Sequence, residues 1–215
     1  MLERLYAAFA RYRLPADLEV CEQCGPEWTA RDIRSSPLRS LSLLQLEAIH
    51  LMSLDDNDFS GFRHFFPRLI ELLLADPAPV FAFDLARLRG RVPTWPEPER
   101  AAVHDLVDEL WQDLLAGFPA ELGYFSDSPT LIDFTYWCDE ALDPHLRRWQ
   151  SLTTAAAAEH LADLLEYVSY LKEPTEPAVK ATILAWLRQP IIGTRLRAAN
   201  CTAAHDLWAV WGSAD

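Results

Sequence analysis

Apolar residues recur three and four positions apart along most of this chain, and this spacing restricts its fold more than any other feature. The clearest example lies between Glu97 and Phe118, where apolar side chains share one helix face and acidic side chains share the opposite face. No stretch longer than four residues alternates in the way that a half-buried strand would. The pattern predicts an all-α protein.

Prolines divide the chain into segments of helical length. Fifteen prolines against seven glycines indicate helices that end at proline and are joined by short loops. We expect an array of about 8–10 antiparallel helices, with a short HEAT-like curved stack as the alternative to a globular array. We expect a single domain over residues 1–215, in which the stiff segment Pro93–Pro98 joins subregions 1–92 and 97–215.

Three local patterns give sharper predictions for individual helices. Ser42 and Gln45 have the spacing of a capping box at the start of a helix. Pro67 should kink or restart the helix predicted over residues 59–75, because its ring removes a backbone donor. The last apolar pattern predicts one continuous helix from Thr194 to about Trp211.

Negative charge is concentrated in the middle of the chain. The formal net charge is −13, and the segment from Glu97 to Asp143 carries twelve acidic residues against the single base Arg100. A field of this kind attracts basic partners and repels nucleic acid, whose binding requires cations that neutralise phosphates. The distribution predicts a basic protein partner and no binding of nucleic acid.

Eight acidic residues of this segment are predicted to form a docking face. They are Asp105, Asp108, Glu109, Asp113, Asp133, Asp139, Glu140 and Asp143. The resulting hypothesis is a non-enzymatic adaptor or inhibitor, of which a toxin-neutralising immunity protein is one concrete form. The alternative for the same face is a solvated surface that only maintains solubility.

The N-terminal residues and the most apolar stretch both argue against export and against a membrane span. Residues 1–6 include Glu3 and Arg4 and lack the regions of a signal peptide. The apolar run over residues 69–75 contains Glu71 and is far shorter than the roughly 20 residues that a span needs. We expect a cytoplasmic protein whose four cysteines are thiols or metal ligands.

A second functional hypothesis rests on the cysteines near the N-terminus. Cys21 and Cys24, followed by Gly25, have the spacing and the permissive glycine of a zinc knuckle. Two ligands do not complete a site, and His50 and His64 are the nearest candidates for the other two. A zinc-binding protein or metal-dependent enzyme is therefore the alternative to the binding protein, while ordinary loop thiols explain the same pattern without metal.

Other candidate sites each lack a component. Cys201 and His205 lie one helical turn apart, as a nucleophile and base could, but no oxyanion-binding motif accompanies them. Residues 56–61 resemble the opening of a calcium loop, whose twelfth position is here a proline. Glu47 and His50 form a single Glu-x-x-His where di-iron sites need two. No catalytic motif is complete, and the chain is interpreted as a non-enzyme.

Basic and aromatic side chains alternate around Pro67. Arg63, His64 and Arg68 are interleaved with three phenylalanines. We interpret them as helix-packing residues whose cations reach solvent, and a ligand pocket is the alternative.

Three of these segments together carry a family resemblance. The Cys-x-x-Cys loop, Ser36-Pro37-Leu38-Arg39-Ser40-Leu41 and Phe62-Arg63-His64-Phe65-Phe66-Pro67-Arg68-Leu69 resemble a bacterial family of uncharacterised helical proteins of about this length. The match covers mainly residues 1–115. It implies an all-helical cytoplasmic bacterial protein and no particular activity. The chain departs from the family at residues 58–61, where the family more often runs acidic residues directly into Phe-Arg-His.

Overall fold

The computed structural model describes residues 1–14, 18–21, 28–49, 59–75, 82–170 and 177–212. All regular structure in these ranges is helical and none of it is strand, so the predicted all-α class is confirmed. The α-helices in these ranges are α1 (Leu2–Phe9), α2 (Ala30–Ser35), α3 (Leu43–Ala48), α4 (Ser60–Ala75), α5 (Glu97–Ala116), α6 (Ser128–Trp137), α7 (Leu142–Ser151), α8 (Ala155–Tyr170), α9 (Pro177–Leu187), α10 (Pro190–Ala198) and α11 (Thr202–Gly212). The HEAT-like stack stays a prediction.

Helix α5 lies at the centre of the packing and contacts α1, α6, α7 and α8. Its predicted apolar face is confirmed, because Val103, Leu106, Leu110 and Trp111 are all fully buried. Each such side chain contributes roughly 1.5–3 kcal/mol relative to leaving it exposed. The predicted acidic face consequently points away from the core and towards the neighbouring helices and solvent.

Aromatic rings join the first helix to the proline-rich segment. Phe9 of α1 lies 5.3 Å from Phe66 of α4 and 5.5 Å from Trp95, measured between ring centroids. All three rings are nearly inaccessible to solvent. They belong to one hydrophobic cluster that contains residues from both of the predicted subregions.

Helix α4 does not restart at Pro67. Of the two predicted effects of this proline, a kink or a restart, the restart is therefore wrong. It runs without interruption over Ser60–Ala75 with Pro67 inside it and buried. Proline removes only one backbone donor, and the neighbouring Phe62, Phe65 and Phe66 are completely buried. Burial of these rings outweighs the local cost of the proline.

The single helix predicted from Thr194 to Trp211 is wrong. Two helices, α10 and α11, occupy this part of the chain, and the backbone between them turns at Asn200 with a φ of +59°. Asparagine tolerates this left-handed conformation better than most residues and often follows a helix end. The break allows Trp208 of α11 to fold back and donate a hydrogen bond to the Leu187 carbonyl at 2.7 Å.

A short 3-10 turn, Gly123–Phe125, packs on the C-terminal part of α4. Gly123 has a φ of +57°, and a Cβ atom there would lie 2.3 Å from the Leu73 carbonyl oxygen and 2.5 Å from Leu74. Only glycine satisfies both the backbone angle and the close approach. The turn fixes the segment after α5 directly against the backbone of α4.

The capping box predicted at Ser42 and Gln45 is confirmed. The Ser42 hydroxyl accepts from the Gln45 amide at 3.2 Å, and the Ser42 amide donates to the Gln45 side chain at 2.9 Å. This exchange satisfies two backbone donors that the first turn of α3 leaves open. Within the described ranges, no helix combines the length and the apolar composition that crossing a bilayer requires.

Candidate functional site

The first predicted docking residues lie against cations of the N-terminal helix. The Arg4 guanidinium lies 3.0 Å from the Asp105 carboxylate and also pairs with Glu109. The Met1 ammonium lies 3.0 Å from Glu109. These pairs form because α1 packs along α5. Asp105 and Glu109 are thus neutralised by residues more than a hundred positions away in sequence.

Asp108 and Glu140 form a cluster with two histidines. Nδ1 of His104 lies 3.0 Å from Glu140, and its Nε2 lies 3.6 Å from Oδ2 of Asp108. On the other side, Nδ1 of His145 lies 3.7 Å from Oδ1 of Asp108. The His145 ring stacks on Trp111 with centroids 5.3 Å apart and planes 12° apart. We call His104, Asp108, Glu140 and His145 the histidine–carboxylate cluster.

The two imidazoles of this cluster have opposite environments. His104 is exposed, and its hydrogen bond to Glu140 raises its pKa, with the charges of Glu140 and Asp108 acting in the same direction. His145 is only 6% exposed, and burial lowers its pKa although Asp108 is close. His104 therefore binds a proton at a higher pH than His145.

Asp139 stabilises a turn. It has a φ of +60°, and its carboxylate pairs with Arg89 and accepts a hydrogen bond from the Gly90 amide at 2.6 Å. Arg89 also donates to the Tyr136 carbonyl at 3.1 Å. This side chain joins the end of α6 to the turn after Leu88 and is not available to a partner as a free charge.

Five of the eight predicted docking residues are therefore paired within the chain. We call them the paired acidic patch: Asp105, Asp108, Glu109, Asp139 and Glu140. Asp113 and Asp143 are exposed, and neither forms an ion pair with a cation in the part of the chain that the structure describes. Asp133 is half-buried on α6.

A second acidic surface includes residues that the sequence interpretation missed. Glu159, Asp163 and Glu166 are all exposed on α8, a helix that packs against α6. Together with Asp127 and Asp133 of the α6 region they form what we call the α6–α8 acidic patch. The signal was present in the sequence, because positions 159, 163 and 166 share one helix face, but they lie beyond the dense segment that ends at Asp143.

The carboxylates of the α6–α8 acidic patch act on one another. Burial, followed by the charges of Glu166, Glu159 and Asp127, raises the pKa of Asp163, and only His160 opposes them. None of Glu159, Asp163 and Glu166 forms an ion pair with a lysine or arginine in the described ranges. This surface therefore presents negative charge that the paired acidic patch does not.

Aromatic side chains border the α6–α8 acidic patch. Phe118 is 41% exposed and Tyr167 is 38% exposed. Phe118 makes an edge contact with His160, whose Nε2 lies 3.0 Å from the Gly117 carbonyl oxygen. Burial, followed by the charges of Asp133 and Asp127, raises the pKa of Tyr167. The phenol thus lies close to the acidic residues of α6.

A buried ion network was also missed from sequence. Glu99 is 1% exposed, accepts from the Tyr12 hydroxyl at 2.9 Å and pairs with Arg11 at 2.5 Å and with Arg63 at 3.4 Å. Arg63 is 7% exposed, so the prediction that its cation reaches solvent is wrong. The network connects the segment after α1 with α4 and α5, and its sequence signal is only an acid in the first turn of α5.

His64 and Arg68 also make specific contacts. Nδ1 of His64 lies 2.9 Å from the Tyr12 carbonyl oxygen, and burial lowers the pKa of this imidazole. Arg68 lies 2.7 Å from Glu71 and donates to the Leu41 carbonyl at 2.8 Å. An open groove of about 340 Å³ borders His64. The ligand-pocket alternative for this region stays a prediction.

The zinc hypothesis cannot be assembled from the described residues. The Cys21 amide donates to the Ala48 carbonyl at 2.6 Å, which places the cysteine next to the end of α3. Cys24 and His50 lie outside the described residues, as do residues 56–58 of the candidate calcium loop. Within the described ranges, no three histidine, cysteine or acidic side chains come together as a metal site would require. Zinc at Cys21, Cys24, His50 and His64 stays a prediction.

Cys201 and His205 do not form a nucleophile–base pair. The His205 Nε2 lies 3.1 Å from an Arg197 guanidinium nitrogen, and the Cys201 thiol lies 3.9 Å from the Ala199 carbonyl oxygen. Burial raises the pKa of Cys201, which disfavours the reactive thiolate. Among the described residues, no histidine forms a hydrogen bond with the Cys201 thiol.

The fold and these surfaces define an all-α protein in which one acidic patch is paired internally, while the α8 carboxylates of a second patch form no described ion pair with lysine or arginine. Comparison of the chain with known protein families, with curated proteins and with solved structures finds no match in any of the three. Function must therefore be argued from the surfaces themselves.

Proposed function

We propose that this chain is a non-enzymatic adaptor or inhibitor that docks a basic protein partner on its acidic helical surface. The observation that carries the proposal is the α6–α8 acidic patch, where Glu159, Asp163 and Glu166 share one exposed face of α8. Burial, followed by the charges of Glu166, Glu159 and Asp127, raises the pKa of Asp163 there. Among the described residues, no arginine or lysine pairs with Glu159, Asp163 or Glu166, and like charges held close together cost free energy. A basic partner would remove that cost on binding.

The border of the patch supports a docking role over simple solvation. Exposed rings such as Phe118 and Tyr167 contribute little to solubility, whereas aromatic side chains supply much of the binding energy in protein interfaces. Negative charge around such rings speeds the approach of a basic partner, and the rings then provide apolar contact. The Tyr167 phenol lies close to Asp133 and Asp127, and the Phe118 ring contacts His160, a neighbour of Asp163.

A toxin-neutralising immunity protein of the bacterial cytoplasm is the concrete form that we propose. A basic active site of a toxin is complementary in charge to this surface, and covering it would inhibit the toxin without catalysis. The free thiols of Cys138 and Cys201 are compatible with a reducing compartment.

Charge reversal on α8 tests the proposal without breaking any described ion pair. A variant with Glu159→Lys, Asp163→Lys and Glu166→Lys should bind the native partner about 30-fold or more weakly, because like charges then face each other. The control, Glu19→Lys, Glu97→Lys and Asp206→Lys, has the same change in net charge at exposed positions outside the patch, and it breaks only the surface contacts of Glu97 with Arg100 and of Asp206 with His205. Capture from the native cell at low and moderate salt, followed by titration, measures both.

Two results would contradict the proposal. Recovery of no partner at either salt concentration is one, and equal binding by the α8 variant and its control is the other. Phe118→Ala and Tyr167→Ala should each weaken binding by about 1–2 kcal/mol if the rings lie within the interface. A salt-insensitive affinity would indicate a partner held by other contacts.

A further inference from the structure

The histidine–carboxylate cluster places one carboxylate between two imidazoles. Oδ2 of Asp108 faces His104 at 3.6 Å, and Oδ1 faces His145 at 3.7 Å. Both separations are within ion-pair range but exceed the length of a hydrogen bond. Asp108 therefore forms a hydrogen bond with neither ring. His104 is held from its other side by Glu140 at 3.0 Å, whereas His145 is held by its stack on Trp111.

The charges around each ring determine which ring binds a proton first. His104 faces three carboxylates, those of Glu140, Asp108 and Asp105. The groups that face His145 are Asp108 and His104 of α5, Glu140 of the turn between α6 and α7, and Arg148 of α7 itself. Helix α10 also packs on α7, and its Arg195 contacts the carbonyls of Gln150 and Ser151 at the far end of that helix.

We propose that this cluster is a proton-operated switch, in which His104 and His145 bind protons one after the other as the pH falls and Asp108 closes on His145 at the second step. The first proton goes to the exposed ring, where Glu140 already accepts from Nδ1. The second proton goes to the buried ring against the repulsion of a now positive His104. Among the described ion pairs, Asp108 is the only carboxylate within 4 Å of the His145 ring. Asp108 therefore moves towards His145 when that ring becomes positive.

The switch changes the surface charge without changing any carboxylate. The cluster carries two negative charges when both imidazoles are neutral and no net charge when both are protonated. Imidazoles titrate around a pKa of about 6.5, where aspartate and glutamate stay ionised. A consequence for partner docking rests on the proposed function, whereas the coupled titration of the two rings does not.

Titration of the histidine Cε1 resonances by NMR between pH 8.5 and 5.0 tests the switch on the whole chain. The resonance missing from the spectrum of His104→Gln belongs to His104, and the one missing from His145→Gln belongs to His145. The titration midpoint of each ring is then measured in the wild-type protein. The midpoint of His104 should lie above that of His145. Glu140→Gln should lower the His104 midpoint, because the carboxylate that stabilises its charge is lost.

The decisive measurement is the coupling between the rings. In His104→Gln the His145 midpoint should rise by about 0.5 pH unit, because a nearby positive charge is absent. The control variant His205→Gln, on α11, should leave both midpoints unchanged. Coincident midpoints, a reversed order, or an unchanged His145 midpoint in His104→Gln would each overturn the proposal. The His160 and His64 resonances show in every variant whether the fold is intact.

Discussion

The paired acidic patch and the α6–α8 acidic patch have similar numbers of carboxylates but opposite electrostatic situations. In the first, Arg4, Arg89 and the Met1 ammonium lie against the acids. In the second, the carboxylates of α8 form no ion pair with a described lysine or arginine. Burial, followed by the charges of Glu166 and Glu159, raises the pKa of Asp163 there. A dense run of acids in sequence therefore does not locate a charged surface, because cations from distant segments can neutralise it.

Glu99 is a neutralised carboxylate that is almost completely buried. Of the substitutions considered, its removal should lower the stability of the protein most. Glu99→Ala removes the buried carboxylate that pairs with Arg63 and Arg11 and accepts from Tyr12, and it should lower the free energy of unfolding by about 3–5 kcal/mol. Urea denaturation at pH 7 measures the change. Glu97→Ala, which removes an exposed acid two positions away, should cost less than about 0.5 kcal/mol. Similar losses for both variants would show that the buried network contributes nothing beyond a surface pair.

The buried His145 should make the stability of the protein sensitive to acid. Burial lowers the pKa of His145 in the folded protein below its unfolded value of about 6.5. Its contribution to stability is therefore present above that value and is lost as the pH falls through the folded pKa. His145→Phe keeps a ring against Trp111 but binds no proton, so it should lose less stability than the wild-type protein between pH 7.5 and 5.5.

Urea denaturation at both pH values decides that prediction. His104→Gln provides a contrast with the opposite sign, because the folded pKa of His104 is raised and its stabilisation is present at low pH and lost as the pH rises. An equal pH dependence in wild type and His145→Phe would show that other groups control acid sensitivity.

The exposed pairs of α1 should have a smaller effect. Arg4→Gln removes the cation that faces Asp105 and Glu109 and should cost about 0.5–1 kcal/mol at low salt. Arg13→Gln is a matched control, because Arg13 is exposed and forms no described ion pair. The difference between the two variants should shrink in 1 M salt, since screening weakens exposed pairs. A difference that persists unchanged in salt would contradict an electrostatic origin.

The smallest effect should have the opposite sign and lie in the α6–α8 acidic patch. Asp163→Asn removes repulsion with Glu159 and Glu166 and should raise the free energy of unfolding by about 0.2–0.5 kcal/mol. The pKa of Asp163 is raised, so its unfavourable charge disappears as the pH falls, and the gain should shrink with it. Thermal denaturation against the control Glu19→Gln measures the gain. A loss of stability would show that Asp163 is favourably paired.

Sequence predicted the elements whose signals are local. The amphipathic pattern of α5 and the capping box of Ser42 depend on residues within a few positions of one another, and both are confirmed. The restart predicted at Pro67 and the continuous helix predicted through Asn200 were wrong, because the effect of each residue depends on what packs around it. Pro67 lies inside a helix whose buried rings outweigh its cost, and Asn200 allows Trp208 to fold back onto the end of α9.

The charged surfaces were harder to predict than the helices because they depend on contacts between residues far apart in the sequence. Charge density identified Asp105 and Glu109 correctly as acidic residues of one face, but their partners on α1 are joined to them only by tertiary packing. The α8 residues were missed because they follow the dense segment in sequence while joining its α6 members in space. No local pattern reports a contact between helices.

The turn at Gly123 restricts which residues can occupy position 123, and a library of substitutions would show this restriction directly. In a library holding every substitution, position 123 should retain only glycine among folded clones, since any side chain would intrude on the Leu73 carbonyl. Gly117, six residues earlier, has open space where a Cβ would lie and a negative φ of −141°, so it should accept many residues. Two glycines in one loop would thus differ completely in the sequence variation they allow.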